Sequence, residues 1–356
     1  MCNSAAVSAI VLIGLALAAS GEIGVIAGDP TTVKAIDGAW GLEEEQLRAV
    51  VARYAADVAD APAVLVLFTA FDDIGLGSAG YFVPIFNDTP GTGMGPIDRR
   101  AEFGTARIEG VVNLKSIDQE LTEPRLHLAA HEIAHRHAAY LEVATSTVIS
   151  ILGRQGSHWH AALESGASLL DGYSWRDLGG GQFRVEAKSA RLGPLDLYAL
   201  GMLPADEVGP FFFIDDARVE SGARLPPGAQ LAIGASVHGT RLDLDIDDVI
   251  AVLGPRPPAA PRLRLLFALV TAPGSTADAA EIDRIDAFRR ELEAAWPSLT
   301  REGFALCTQL DGCPEPEPVI PSSCASTRAS GDPWALVLLA LVYLNRRHLV
   351  PYRTVS

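Results

Sequence analysis

Positive charge is scarce in this chain: 28 Lys and Arg stand against 44 Asp and Glu, for a formal charge of −16. A surface of that sign repels phosphate backbones, so nucleic acid is excluded as a partner. No Lys or Arg occurs before Lys34, and no repeat or low-complexity tract interrupts residues 30–310. The four cysteines form no CxxC pair, and neither a Gly-rich phosphate loop nor a Ser nucleophile elbow is present. Gly179-Gly180-Gly181 fits none of these patterns and reads as a loop. The acidic run Leu242 to Asp248 lacks the Gly and distal Glu of an EF-hand, so it reads as a strand entering an Asp-capped helix. Nor is any apolar run long enough to cross a membrane unaided, which takes about 20 residues.

The apolar runs that do occur lie at the ends. Ala5 to Ala19, with the small-x-small triplet Ala16-Leu17-Ala18, reads as a signal peptide over residues 1–20. Near the other end a Pro- and Ser-rich linker, residues 313–333, carries Cys324 and leads into a hydrophobic tail, residues 334–356. There Trp334 to Leu344 is followed by Arg346-Arg347. Export also suits Cys307 and Cys313, six residues apart, which can close a small disulfide loop in an oxidising compartment. The order of Cys, spacer, apolar segment and basic cluster resembles the myxobacterial C-terminal sorting tag. That resemblance implies that Cys324 is processed and the hydrophobic tail removed at the cell envelope, the partner reached through that tail. The expected location is secreted or cell-surface.

The whole chain, 356 residues with 49% hydrophobic content, suffices for a full core. Glu43 to Ala59 has apolar positions at helical spacing after an acidic first turn. Ala63 to Phe71 is an apolar run bounded by Pro62 and Asp72-Asp73, the mark of a buried strand. Tyr81 to Phe86 reads as a second strand, and the alternating Arg107 to Leu114 as a third, at a sheet edge. Downstream, Leu263 to Thr271 reads as another strand and Ala279 to Ala295 as an amphipathic helix ended by Pro297.

The chemistry concentrates in His131-Glu132-Ile133-Ala134-His135. Thr122 offers a helix cap and Pro124 an early position, and nothing local breaks a helix from Arg125 to Val143. On a helix, residues four apart share one face, so both imidazoles can reach one Zn²⁺. Glu132 then points away from the ion and toward its water, whose proton it takes during attack on a scissile carbonyl before passing it to the leaving amine. His127 shares the stripe but lies too far from His135 to bind the same ion.

A third ligand is needed. Ala138 and Leu141 stand where a metzincin carries Gly and His, which excludes that subclass. Three candidates remain: His158 in Gly-Ser-His-Trp, Glu164, and Asp196 in Gly193-Pro-Leu-Asp-Leu-Tyr198. Glu164 and Asp196 are alternatively acceptors that orient a ligand histidine, or in Asp196's case a helix cap. Tyr198 or His238 could polarise the substrate carbonyl.

The segments YFVPIFND, HEIAHRH, GSHWHAALESGASLLDGYSW, GPLDLYALGMLPADEVGPFFFI and DIDDVIAVLGPR together resemble a group of exported myxobacterial HExxH proteins. The resemblance implies a peptidase-like domain and, through the recurrent His-Trp pair, places His158 ahead of Asp196 and Glu164. The expectation is an α/β (α+β) zincin-like metallopeptidase domain. Residues 30–152 would form a mixed sheet over the HExxH helix. Residues 153–312 would form a smaller, mostly helical and loop lobe across a cleft. The implied partners are protein or peptide substrates, acting on a monomer. The rival reading is a degenerate surface binding protein with a structural zinc.

Overall fold

The computed structural model describes residues 22–313 except 78 and 145–149. The expected signal peptide, Cys324, the linker beyond Cys313 and the tail lie outside the described residues. Among the described residues no helix is long and apolar enough to cross a membrane.

The first half of the molecule grows from strands too apolar for any place but a sheet interior. In chain order its elements are β1 (Ile23–Ile26), β2 (Lys34–Ile36), β3 (Ala39–Gly41), α1 (Glu44–Asp57), β4 (Ala63–Thr69) and β5 (Tyr81–Pro84). There follow β6 (Phe86–Asn87), β7 (Ile97–Asp98), β8 (Ile108–Ser116) and α2 (Arg125–Ala134). Every residue of β4 is buried, as a strand covered on both faces requires. Its alternate side chains feed two cores: Val64, Val66 and Phe68 face one, Ala63, Leu65 and Leu67 the other. Helix α1 covers the second face with Leu47, Val50, Val51 and Tyr54. Helix α2 covers the first with Leu128, Ala129 and Ile133.

The remaining elements are β9 (Leu163–Glu164), β10 (Tyr173–Gly179), β11 (Gln182–Lys188), α3 (Pro194–Ala199), β12 (Phe211–Val219) and β13 (Ser236–Leu244). After them come α4 (Ile246–Leu253), β14 (Arg262–Val270), α5 (Ala279–Leu299) and β15 (Ala305–Cys307). The main sheet runs β1-β14-β4-β8-β5, with β15 paired to β14. All its pairings are parallel except that of β5 with β8, so β5 is an antiparallel edge strand. The fold is thus mixed α and β.

Several expectations change. Strand β8 lies inside the sheet, not at its edge. Its alternation is confined to the Arg107-to-Gly110 end, and its remaining residues are buried. The sheet also draws an interior strand, β14, from beyond residue 260, out of the span expected to form the second lobe. That lobe is not mostly helical: β10-β11-β13-β12-β9 close into a small barrel. Phe183 and Val185 alternate with exposed Gln182, Arg184 and Glu186, and the three glycines form the turn of the hairpin β10–β11. All three have positive φ, which glycine adopts at no steric cost. Pro297 does not end α5 either, since the helix reaches Leu299. The Asp-capped helix holds: the Asp245 carboxylate accepts from the backbone N–H of Asp247 and Asp248. Cys307 and Cys313 are joined as a disulfide.

Candidate metal centre

Helix α2 is shorter than its sequence suggests. Pro124, rather than Thr122, occupies the N-cap, and the helix ends at Ala134 with His135 as C-cap. Arg136 and His137 donate to the carbonyls of Ile133 and Ala134, three residues back, at 3.1 Å each. This tightening, with Ala139 at φ 58°, turns the chain out of the helix. Gly93 lies so close to the turn that a Cβ there would stand 1.8 Å from the Tyr140 carbonyl oxygen. Tertiary packing therefore stops a helix that no local signal stops.

His158 reaches the same point from a short β-like loop. Gly153 N–H donates to the His158 carbonyl at 2.7 Å and His160 N–H to Ile151 at 2.9 Å. A Cβ on Gly153 would stand 2.5 Å from the Trp159 carbonyl oxygen, so the loop closes only around glycine. His131, His135 and His158 each bring a ring nitrogen within 4.8 Å of the others. Their ring centroids are 4.9 to 5.1 Å apart. No other His, Cys, Asp or Glu joins this group among the described residues.

Two of the rings are oriented by backbone. His131 Nδ1 faces the Leu169 carbonyl at 2.9 Å and His158 Nδ1 the Arg154 carbonyl at 3.1 Å. A carbonyl can only accept, so both Nδ1 atoms carry the proton and both Nε2 atoms present lone pairs. Those Nε2 atoms lie 3.1 Å apart. The Arg154 guanidinium donates to His158 Nε2 at 2.7 Å, so a metal held there would take over a lone pair that Arg154 now engages. A tetrahedral zinc at about 2.0–2.1 Å from each nitrogen would space its ligands about 3.4 Å apart, so the residues fit the ion. Burial holds His131 down at about 4 and lowers His135 and His158 below the ordinary histidine range. The donors are therefore neutral at pH 7, the form that binds metal. His135 Nδ1 is buried with no hydrogen-bond partner among the described residues.

The histidines line a cavity of about 360 Å³, together with Glu132, Tyr140, Arg154 and the Gly80–Phe82 stretch of the sheet edge. Glu132 is 6% exposed, and burial raises it to about 8. A carboxyl raised that far is protonated at pH 7, so it takes a proton only when a nearby cation lowers it again; among the described residues it forms no hydrogen bond. Arg154 donates to His158 Nε2 at 2.7 Å and to the Asp171 carboxylate at 3.1 Å. Tyr140 lies 6.4 Å from His135, ring centre to ring centre, and burial pushes its hydroxyl up to about 12. Neither Tyr140 nor Arg154 is foreseen from sequence. The only local hint is their nearness to the histidines, five residues past His135 and four before His158.

The other candidates lie elsewhere. Glu164 sits in β9, its carboxylate accepting from the backbone N–H groups of Gly166 and Trp175. Asp196 is fully buried and accepts from Trp159 Nε1 and Gly193 N at 2.7 Å each, and from the Ser168 hydroxyl. Among the described residues it forms no hydrogen bond with a site histidine, yet it holds the neighbours of two: Trp159 follows His158, and Ser168 precedes the Leu169 whose carbonyl orients His131. Tyr198 is buried away from the cavity, its hydroxyl accepting from Arg256 N–H at 3.2 Å. His238 is exposed on β13 and His127 half-buried on α2, both outside the cluster. No protein-family model, curated protein or solved structure matches the chain.

Proposed function

We propose that the chain is an exported zinc-dependent peptidase with a zincin-like catalytic domain. The observation that carries this reading is the convergence of His131, His135 and His158 beside Glu132 in one open cavity. Three protein donors fall one short of the four that close a structural zinc site, and would match the ligand number of catalytic ones. The chemistry a bound zinc supplies is Lewis acidity, which brings a water's pKa to about 7 and polarises a carbonyl.

The protein's own groups account for the rest. Glu132 takes a proton from the attacking water and returns it to the leaving amine. Tyr140, kept protonated by burial, donates to the oxygen on which charge develops. Strand β5 borders the cavity as a sheet edge, with Tyr81 and Phe82 in its wall. Such an edge can pair with an extended peptide, which favours protein or peptide substrates. The disulfide between Cys307 and Cys313 is in keeping with export.

The test is metal analysis of the purified chain together with a general peptide-hydrolysis assay. Wild type should carry about one zinc and hydrolyse peptide, whereas Glu132→Gln should keep the zinc and lose hydrolysis. Zinc without hydrolysis in wild type would leave a structural site and a binding protein.

A further inference from the structure

Immediately after the second site histidine the chain turns away. Arg136 and His137 line a different cavity, of about 520 Å³, which shares no lining residue with the one around the histidines. Four arginines face it: Arg136, Arg256, and Arg262 and Arg264 from β14. In a chain with 28 basic against 44 acidic residues, four in one hollow reverse the prevailing charge. The carboxylates on its wall are Glu109, which pairs with Arg136, and Asp88.

Arg256 has no carboxylate within ion-pair distance among the described residues. Its guanidinium donates to the carbonyls of Ala199 at 2.7 Å and Pro257 at 2.6 Å, and reaches His137 Nδ1 at 3.4 Å. Burial and the neighbouring Arg136 pull Arg256 down to about 10, so the fold holds a cation against its preference. A half-buried charge without a counter-charge is costly, and an anionic ligand would offset that cost. Leu200, Met202 and Pro257 supply an apolar wall beside it. A hollow of a few hundred cubic ångströms with an apolar wall and a few convergent charges has the anatomy of a small-molecule site.

We propose that this cavity binds a small organic anion, its carboxylate or phosphate oxygens meeting Arg256 and its body resting on Leu200, Met202 and Pro257. Planar guanidinium forks suit both head groups, and either can be held bidentately.

Titration calorimetry on the full chain decides the matter, with benzoate and phenyl phosphate as probes. At least one should bind at about one equivalent, more weakly as salt is raised, and the response identifies the head group. Binding should survive removal of metal with a chelator, which separates this site from the histidines and makes the result independent of any peptidase activity. Arg256→Gln should weaken binding about tenfold or more. Should that variant fail to fold, having lost its bonds to Ala199 and Pro257, Arg262→Gln should weaken binding several-fold. Failure of both probes to bind at about 10 mM overturns the proposal. So does binding that disappears with the metal, or that is indifferent to these substitutions.

Discussion

The Trp159 indole donates to the buried carboxylate of Asp196 at 2.7 Å, joining two segments 37 residues apart. Through this bond the His158 loop is fastened to the start of α3. The same carboxylate takes the Ser168 hydroxyl, so one acidic group fixes the supports of both His158 and His131.

The role of His158 can be separated from that of Glu164 by zinc affinity. His158→Ala should lower it by about a thousandfold or more, since two histidines alone hold zinc weakly. Glu164→Gln should leave it unchanged, because that carboxylate serves the backbone of the barrel. Competition against a chromophoric chelator measures both. Equal losses in the two variants would refute the assignment.

Asp196→Asn tests the indirect support. It should reduce zinc affinity on the order of 10- to 100-fold without removing a ligand. Its pH signature is distinct. Burial raises Asp196 to about 6 in the folded protein, whereas an unfolded Asp titrates near 3.8. The folded state therefore holds the proton longer. Its stabilising contribution is complete below about pH 4 and declines as pH rises through about 6. The melting-temperature difference between wild type and Asp196→Asn should thus favour wild type most in acid and shrink toward pH 7. A difference that grows toward neutral pH would show that the fold prefers the carboxylate.

Two tyrosines should part company. Tyr140→Phe is expected to reduce kcat about 10²- to 10³-fold with KM nearly unchanged, as for loss of one oxyanion donor. Tyr198→Phe removes an acceptor from Arg256 N–H and should cost about 1 kcal/mol of stability without affecting kcat. Steady-state kinetics on both variants would reverse these roles if Tyr198→Phe were the inactive one.

Gly153→Ala should displace the His158 loop, because the new methyl meets the Trp159 and Pro227 carbonyl oxygens at 2.5 and 2.8 Å. Weaker zinc binding with circular dichroism close to wild type is the expected result. Unchanged affinity would mean that the loop moves freely.

Strong local patterns carried the sequence reading a long way. The apolar runs of β4 and β14, the amphipathic α1 and the capped α4 stand in the structure within a few residues of their expected bounds. The paired histidines four apart on α2 were equally plain. What stayed hidden depended on distant contacts. Nothing between His135 and Val143 breaks a helix locally, and the break comes from packing against Gly93. The barrel escaped because Gly179-Gly180-Gly181 interrupts its clearest alternation and reads as loop until the two strands pair. Choosing among His158, Glu164 and Asp196 required the loop closures that put one ring in the cavity and fold two carboxylates into other hydrogen-bond networks.

The position of β14 sets an order of assembly. A nascent chain that has emerged only to residue 261 already contains β1, β4 and α2 with its histidines, but not the strand that lies between β1 and β4. Both would present open edges, and α2 would lack Leu265, Phe267 and Phe288 from its core. The pocket of His131 and Glu132 thus cannot be completed until β14 and α5 have been synthesised. The chain's own connectivity delays the site until the whole of this unit can fold.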